Sequence, residues 1–264
     1  MEVVLPKASF ADSLKVGQNA MPDEPITMQL LVGRVFELST EVESLLIPDI
    51  SPGAEPGSRG AALEPWLVDL PTMLGQRFSL PTIYKVPARL ETQETTAMAV
   101  RLGQALTGNA QVVRRSLDKL QAGLKPVNHP EPMWQYAGRT TVGLVADPIL
   151  LEQPFLIENS LVALEQAGLH AISIVAMPRP RAIEEGQRIN ANLLAIDHEM
   201  IGGAKLLAAK AAVRGLVYLA QPNAHAHRKL LERSAANTKK PSLMLEWDNL
   251  DLPALAAFAA KIAQ

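Results

Sequence analysis

The chain has 264 residues, of which 48% are hydrophobic and 20% are charged, so its composition is globular and excludes a disordered chain. The formal net charge of −2 gives no general electrostatic reason to bind nucleic acid or an anionic membrane. Cysteine is absent, which excludes disulfides, zinc–cysteine sites, thiolate nucleophiles and cysteine-ligated iron–sulfur clusters.

The first half of the chain is loop-rich and shows a weak strand–helix pattern. The predicted elements are a helix over Ile26–Leu38, strands at Glu43–Ile47 and Thr82–Val86, and a long helical stretch over Glu91–Leu124 with a bend at Thr107–Asn109. The proline- and glycine-rich run 51–60 predicts a surface loop or a mobile flap.

The second half alternates more clearly between strands and helices. Strands are predicted at Thr140–Val145, Ala171–Val175, Gly215–Leu219 and Leu243–Glu246. Helices are predicted over 153–167, over Met200–Ala212, from a cap at Asn223 to about Ala236, and from Pro253 through Ile262. Alternation of this kind is typical of a parallel sheet that is covered on both faces.

These elements predict an α/β protein made of two doubly wound, Rossmann- or flavodoxin-like parallel-sheet lobes with a cleft between them. The expected boundaries are an amino-terminal lobe at residues 1–124, a hinge at 125–139 and a carboxy-terminal lobe at 140–264. The beginning of the sequence carries no secretory pattern and no stretch is apolar enough to span a membrane, so we expect a cytoplasmic protein.

Sequence motifs for common cofactors and nucleophiles are missing. The chain contains no phosphate-binding loop, no dinucleotide fingerprint and no serine-hydrolase elbow, so no cofactor is expected. His225 and His227 point about 200° apart on a helix, which is unsuited to a shared metal, and we interpret both as solvated first-turn residues. His198 is interpreted as a surface residue, and the Gly202-Gly203 pair as close packing of a helix against a strand. No metal site is predicted.

Candidate binding residues follow the predicted strands, since ligands of open parallel sheets bind at the carboxyl ends of strands. The candidates are Asp147, Arg179, Gln221, Asn223, His225, Glu246 and Asp248. Asp147 has two open interpretations, a ligand-binding carboxylate or a cap of the helix that follows, and capping is favoured.

Segments from both halves together resemble one known family. In the second half they are Val142-Gly-Leu-Val-Ala-Asp-Pro148, Gly215-Leu-Val-Tyr-Leu-Ala-Gln-Pro-Asn223, and Lys240-Pro-Ser-Leu-Met-Leu-Glu-Trp-Asp248 followed by Ala257–Ile262. In the first half they are Met21-Pro-Asp-Glu24, Glu43-Ser-Leu-Leu-Ile-Pro-Asp49, and Pro65-Trp66 with Asp69-Leu-Pro71. Their order resembles that of the 2-hydroxyacyl-CoA dehydratase and benzoyl-CoA reductase components, including the activase-associated relatives.

The resemblance implies a scaffold without the family's redox chemistry. Such proteins usually carry a cluster-binding cysteine in three segments, whose neighbourhoods here read Pro25-Ile26, Glu64-Pro65 and Ala220-Gln221. The family's His-Pro-Tyr becomes Asp147-Pro148-Ile149. We therefore expect apolar side chains, namely Ile26, Pro65, Trp66 and Ala220, to fill the space that a cluster would occupy.

Three functions follow as hypotheses. The first is a non-catalytic structural or regulatory subunit that pairs with a cysteine-bearing paralogue or with itself. The second is a protein that binds an acyl-CoA or another small anionic ligand in the inter-lobe cleft, where Lys85, Arg179 and Arg181 supply positive charge. The third is an enzyme with acid–base or metal chemistry built from Asp147, His225 and Asp248.

Overall fold

The computed structural model describes residues 2–49, 69–87, 92–120, 132–134 and 138–263. The helices in these ranges are α1 Phe10–Ala20, α2 Ile26–Ser39, α3 Leu70–Arg77, α4 Thr92–Thr107, α5 Ala110–Leu120, α6 Pro148–Leu151, α7 Pro154–Gln166, α8 Arg179–Ile189, α9 Ala195–Ala209, α10 His225–Asn237 and α11 Leu252–Ala263. The strands are β1 Ser44–Asp49, β2 Thr82–Pro87, β3 Thr140–Val145, β4 Leu169–Ser173, β5 Gly215–Ala220 and β6 Ser242–Glu246. No helix in the described ranges is long and apolar enough to cross a lipid bilayer.

The strands form two separate parallel sheets, which confirms the mixed α/β class. One sheet pairs β1 with β2, and the other has the order β4-β3-β5-β6. All six residues of β5 are buried, as are the last five of β3, because helices cover both central strands. Residues 142–145, 216–220 and the apolar faces of α7, α9 and α11 share one hydrophobic core.

The chain divides into two compact units that are not contiguous in sequence. Among the described residues, the first unit contains 2–5, 38–49, 69–87 and 92–120, and the second contains 6–37, 132–134 and 138–263. Residues 6–37, which the sequence-based boundaries assign to the amino-terminal lobe, therefore pack with the carboxy-terminal unit.

The first unit is built around the β1–β2 pair. Asp69 caps α3 by accepting a hydrogen bond from the Thr72 amide, and its carboxylate also pairs with Lys85 of β2. The predicted bend in the long helical stretch is confirmed, since α4 and α5 are separated at Gly108, whose φ is +62°.

Glycines allow two pairs of helices in the second unit to pack at backbone distance. A Cβ on Gly17 of α1 would lie 1.6 Å from the carbonyl oxygen of Gln29, and one on Gly33 of α2 would lie 1.7 Å from that of Ser13. In α9, a Cβ on Gly202 would lie 1.8 Å from the carbonyl oxygen of Ala182 in α8. The prediction that Gly202 packs against a strand is therefore wrong, because its neighbour is a helix.

Several predicted features lie outside the described residues. These are the loop 51–60, Pro65 and Trp66, and most of the 125–139 segment.

Candidate functional site at the carboxyl edge of the sheet

The order of the four-stranded sheet reverses between β3 and β5. The chain passes from β3 outward to β4 on one side, then returns past β3 to β5 and β6 on the other. In open parallel sheets, the carboxyl edge at such a reversal is the usual place for a ligand. Asp147 follows β3 there and Gln221 follows β5, and the two side chains are hydrogen bonded to each other.

Asp147 is buried and both of its carboxylate oxygens accept hydrogen bonds. Oδ1 accepts from the Ile149 amide at 2.8 Å, which makes Asp147 the cap of the short helix α6. Oδ2 accepts from Gln221 Nε2 at 2.9 Å. The prediction that Asp147 caps a helix is confirmed. Burial raises the pKa of the Asp147 carboxyl, and this effect is opposed by nearby His227 and by the two donors.

His227 lies between two carboxylates. Its Nε2 is 3.0 Å from Asp197 Oδ1, and its Nδ1 is 4.0 Å from Asp147 Oδ2. The side chains of the three residues are 5% exposed or less, and Asp197 Oδ2 has no hydrogen-bond partner among the described residues. We call Asp147, His227 and Asp197 the acid–histidine cluster. It can hold a proton away from water, because an imidazolium at His227 would donate a hydrogen bond to Asp197 and would attract the Asp147 carboxylate from 4.0 Å.

The first turn of α2 covers this edge of the sheet. Gln221 Oε1 accepts from Thr27 Oγ1 at 3.3 Å and from the Thr27 amide at 3.4 Å. The Thr27 amide is one of the donors that a helix leaves without an internal partner at its start. Gln221 thus serves as a side-chain cap for a helix far away in sequence, and Asn223 adds a hydrogen bond from Nδ2 to the Pro22 carbonyl.

The other candidate residues do not join the cluster. Asn223 is exposed and has a left-handed φ of 63°, and the cap position of α10 belongs to Ala224, so the predicted capping role of Asn223 is wrong. His225 and Asp248 are exposed. Glu246 is half-buried and forms a two-pronged ion pair with Arg228.

Arg179 is also engaged elsewhere. Its Nε donates to Glu199 Oε2 at 3.0 Å, which places the guanidinium against a carboxylate that is only 4% exposed. Glu199 follows Asp197 and His198 near the start of α9, and Asp197 lies in the first turn, where the helix dipole favours a carboxylate.

Two histidines were misjudged from the sequence. His227 is 4% exposed rather than solvated. It lies in the acid–histidine cluster, whereas the predicted binding residue was its neighbour His225, which is exposed. His198 is 4% exposed rather than a surface residue, and its Nε2 contacts the Asn190 carbonyl oxygen at 2.8 Å. A signal for His227 was present, since His227 and Leu231 are four residues apart and form the buried face of α10.

Two further observations on the described residues concern metal binding and cavities. No group of three or more histidine, aspartate or glutamate side chains in these ranges is arranged to hold a metal ion. A shallow cavity of about 250 Å³ lies in the first unit, lined by Pro71, Thr72, Gly75, Pro81, Ile83 and Lys85.

Comparison with known proteins gives no relative. No protein-family model, no curated protein and no solved structure matches this chain.

Proposed function

We propose that this chain is a cysteine-free, non-catalytic relative of the 2-hydroxyacyl-CoA dehydratase and benzoyl-CoA reductase components, acting in the cytoplasm as a structural or regulatory partner subunit. In this proposal its scaffold is the family's pair of doubly wound lobes around a cleft. The proposal rests on the order of the resembling segments and on the way two of those segments meet.

The observation that carries the proposal is the contact between the start of α2 and the end of β5. In the family, both segments usually supply a cluster cysteine. Here Ile26 is 3% exposed, Ala220 is fully buried, and both belong to one hydrophobic core. Their chain neighbours Thr27 and Gln221 are hydrogen bonded to each other.

This contact favours a structural role over cluster chemistry. Thiolates are the ligands that hold such clusters, and the chain contains no cysteine. Apolar side chains fill the junction, and the polar groups beside them satisfy one another, as a vestigial site would require. A partner subunit needs the scaffold and its surface but not an open reaction site.

The two other hypotheses have less support. Lys85 and Arg179, which were to attract an anionic ligand, are paired with Asp69 and Glu199 respectively. The predicted catalytic set is also divided, because Asp147 is buried while His225 and Asp248 are exposed.

The experiment is a binding measurement with defined components. The purified chain is mixed with a purified cysteine-bearing dehydratase component from the same cell, and complex formation is followed by sedimentation velocity. We expect a stoichiometric complex with a Kd of about 1 μM or tighter, which is within the range of specific interfaces. A thermal-shift series with CoA thioesters runs in parallel.

Two results would contradict the proposal. One is the absence of any complex with the cysteine-bearing component. The other is a concentration-dependent stabilisation by a CoA thioester, approaching about 2.7 kcal/mol at 100 times Kd, which would favour the binding protein instead.

A matched measurement tests separately whether this chain is unable to bind an iron–sulfur cluster. Both proteins are treated with iron and sulfide without oxygen, and iron is then counted. We expect the cysteine-bearing component to take up a cluster and this chain to stay colourless above about 320 nm, since its donor set lacks thiolates. Several irons per chain, together with a broad absorption band near 400 nm, would contradict the expectation that this chain binds no cluster.

A further inference from the structure

We propose that the acid–histidine cluster is a proton-operated latch: the proton that it holds keeps the first turn of α2 closed over the sheet edge, and α2 is released when rising pH removes that proton. The inference rests on contacts within the second unit and is independent of the proposed function.

The charges around Asp147 make the cluster depend on a proton. His227 faces Asp147 from α10, and Asp197 approaches from α9. From β5 and α2 come only the neutral side chains of Gln221 and Thr27. The nearby Glu199 is already compensated by Arg179 at 3.0 Å. The proton belongs to the cluster rather than to one residue, and while it is bound the two carboxylates and the imidazole carry one net negative charge instead of two.

Loss of the proton leaves a buried site that is no longer compensated. Two ionised carboxylates then flank a neutral imidazole, which donates a hydrogen bond from only one nitrogen. Asp197 Oδ2 already has no hydrogen-bond partner in the described ranges. Ionised carboxylates that lack compensation are unstable in a dry environment and become more stable when water reaches them.

Opening of the first turn of α2 would bring water towards this site. Thr27 is joined to Asp147 by one intervening side chain, Gln221, whose amide group accepts two hydrogen bonds from Thr27 and donates one to Asp147. Opening the first turn would solvate Asp147 and return its pKa, which burial raises, towards the ordinary aspartate range. Because the closed form binds the proton more tightly, linkage requires that higher pH favours the open form.

The test is amide hydrogen exchange of the full-length protein at about pH 6 and about pH 9, the interval around the ordinary titration of histidine. Each measured rate is divided into the intrinsic rate at the same pH to give a protection factor. We expect the protection factor of peptides within 21–31 to fall at least about tenfold with rising pH. Protection of 140–145 in β3 should stay constant.

Variants then assign the effect to the cluster. Asp147→Asn removes one of the two carboxylates and should make the protection of residues 21–31 independent of pH, whatever its level. Asp118→Asn makes the same chemical change on an exposed site of α5 and should retain the wild-type response. If Asp147→Asn does not fold, Asp197→Asn takes its place: it removes one carboxylate but keeps the buried Asp147, so it should reduce the pH response of residues 21–31 without abolishing it.

Three results would overturn the latch. The first is a wild-type protection factor for 21–31 that does not change with pH. The second is a parallel loss of protection in β3, which would indicate general unfolding. The third is a full pH response in the folded Asp147→Asn or Asp197→Asn variant.

Discussion

Gln221 connects Thr27 and Asp147, which belong to two segments of the second unit that are far apart in the sequence. Gln221→Leu keeps a similar side-chain volume but removes the acceptor of the Thr27 amide and the donor to Asp147 Oδ2. The Thr27 amide and Asp147 Oδ2 would then be buried without partners, at about 1–3 kcal/mol each. We expect the free energy of unfolding to fall by about 2–6 kcal/mol in urea titrations.

Gln166→Leu is the matched control, because Gln166 is exposed at the end of α7. It should change the free energy of unfolding by less than about 0.5 kcal/mol. Equal losses in the two variants would show that the hydrogen bonds of Gln221 contribute nothing specific.

The raised pKa of Asp147 also predicts that the stability of the fold depends on pH. Its pKa is raised in the folded protein, so its stabilising contribution is complete below the ordinary aspartate pKa and is lost as pH rises through the raised value. Asp147→Asn removes this titration. We therefore expect the wild type to lose stability relative to the variant as pH rises from about 4, the ordinary aspartate range, towards alkaline pH, measured by urea unfolding at each pH. A constant difference across that interval would contradict the raised pKa.

The sequence predicts part of this site and misses the rest for a physical reason. Asp147 and Gln221 follow buried strands, and strand ends meet at one edge of a parallel sheet, so both were found. Asp197 was missed because the helix that carries it was predicted to begin at Met200, whereas α9 begins at Ala195. Leu194 caps that helix without a side-chain hydrogen bond, so the usual start signal is absent.

At the level of elements, the strands were predicted best. The bounds of β3 are those that its apolar run predicts, and β5 extends only one residue further. β4 begins and ends two residues earlier than predicted. Ser173 ends it by accepting a hydrogen bond from the Val175 amide, which starts a single 3-10 turn over Ile174–Ala176. Side-chain capping thus competes with the strand propensity of that apolar run.

The α1 helix was missed although a start signal exists. Ser9 accepts a hydrogen bond from the Asp12 amide, and Asp12 Oδ2 accepts one from Ser9 Oγ. A serine followed three residues later by an acidic residue is a known helix start. The buried face of α1 consists of Ser13 and Gly17, so hydrophobic periodicity gives little sign of it.

Gly202 sets the distance between α8 and α9. The Cβ of Gly202→Ala would lie 1.8 Å from the carbonyl oxygen of Ala182, and neither helix backbone can give way cheaply. Overpacking of this kind costs about 1–3 kcal/mol or more, which exceeds the gain of about 1 kcal/mol in helix propensity. We expect a lower thermal midpoint for this variant in a calorimetric scan.

Gly75→Ala provides the comparison for the same substitution. Among the described residues, its Cβ would meet only the Ile83 Cδ1 atom, at 3.4 Å, so helix propensity should dominate and the midpoint should rise slightly. A rise in both variants would show that α8 and α9 separate easily, contrary to their close backbone contact.

At the level of the whole molecule, the second unit is assembled from distant parts of the chain. Its sheet comes from residues after 138, while α1 and most of α2 come from residues 6–37. Ile26 and Leu30 of α2 are 3% and 5% exposed and belong to the core built by that sheet. Sequence periodicity does not predict this arrangement, because it describes each element but not which distant element covers it.

The non-contiguous unit predicts that a fragment of residues 132–264 is incomplete. Without α1 and α2, the fragment would expose the carboxyl ends of β3 and β5 together with the core surface that Ile26 and Leu30 cover. Loss of those two side chains alone removes about 3–6 kcal/mol of burial, a large part of a domain's stability. We expect the fragment to bind a hydrophobic dye and to unfold at lower urea concentration than the second unit of the intact chain.

A synthetic peptide of residues 6–39 should reverse both effects when added to the fragment, because it supplies the missing helices. The same peptide with Gly33→Ala is the control, since its Cβ would lie 1.7 Å from the Ser13 carbonyl oxygen and prevent α1 from packing on α2. We expect saturable stabilisation of the fragment by the first peptide and at least about tenfold weaker binding of the second, a difference of about 1.4 kcal/mol. A fragment that is as stable alone as in the intact chain would show that the four-stranded sheet does not need the helices of the amino-terminal segment.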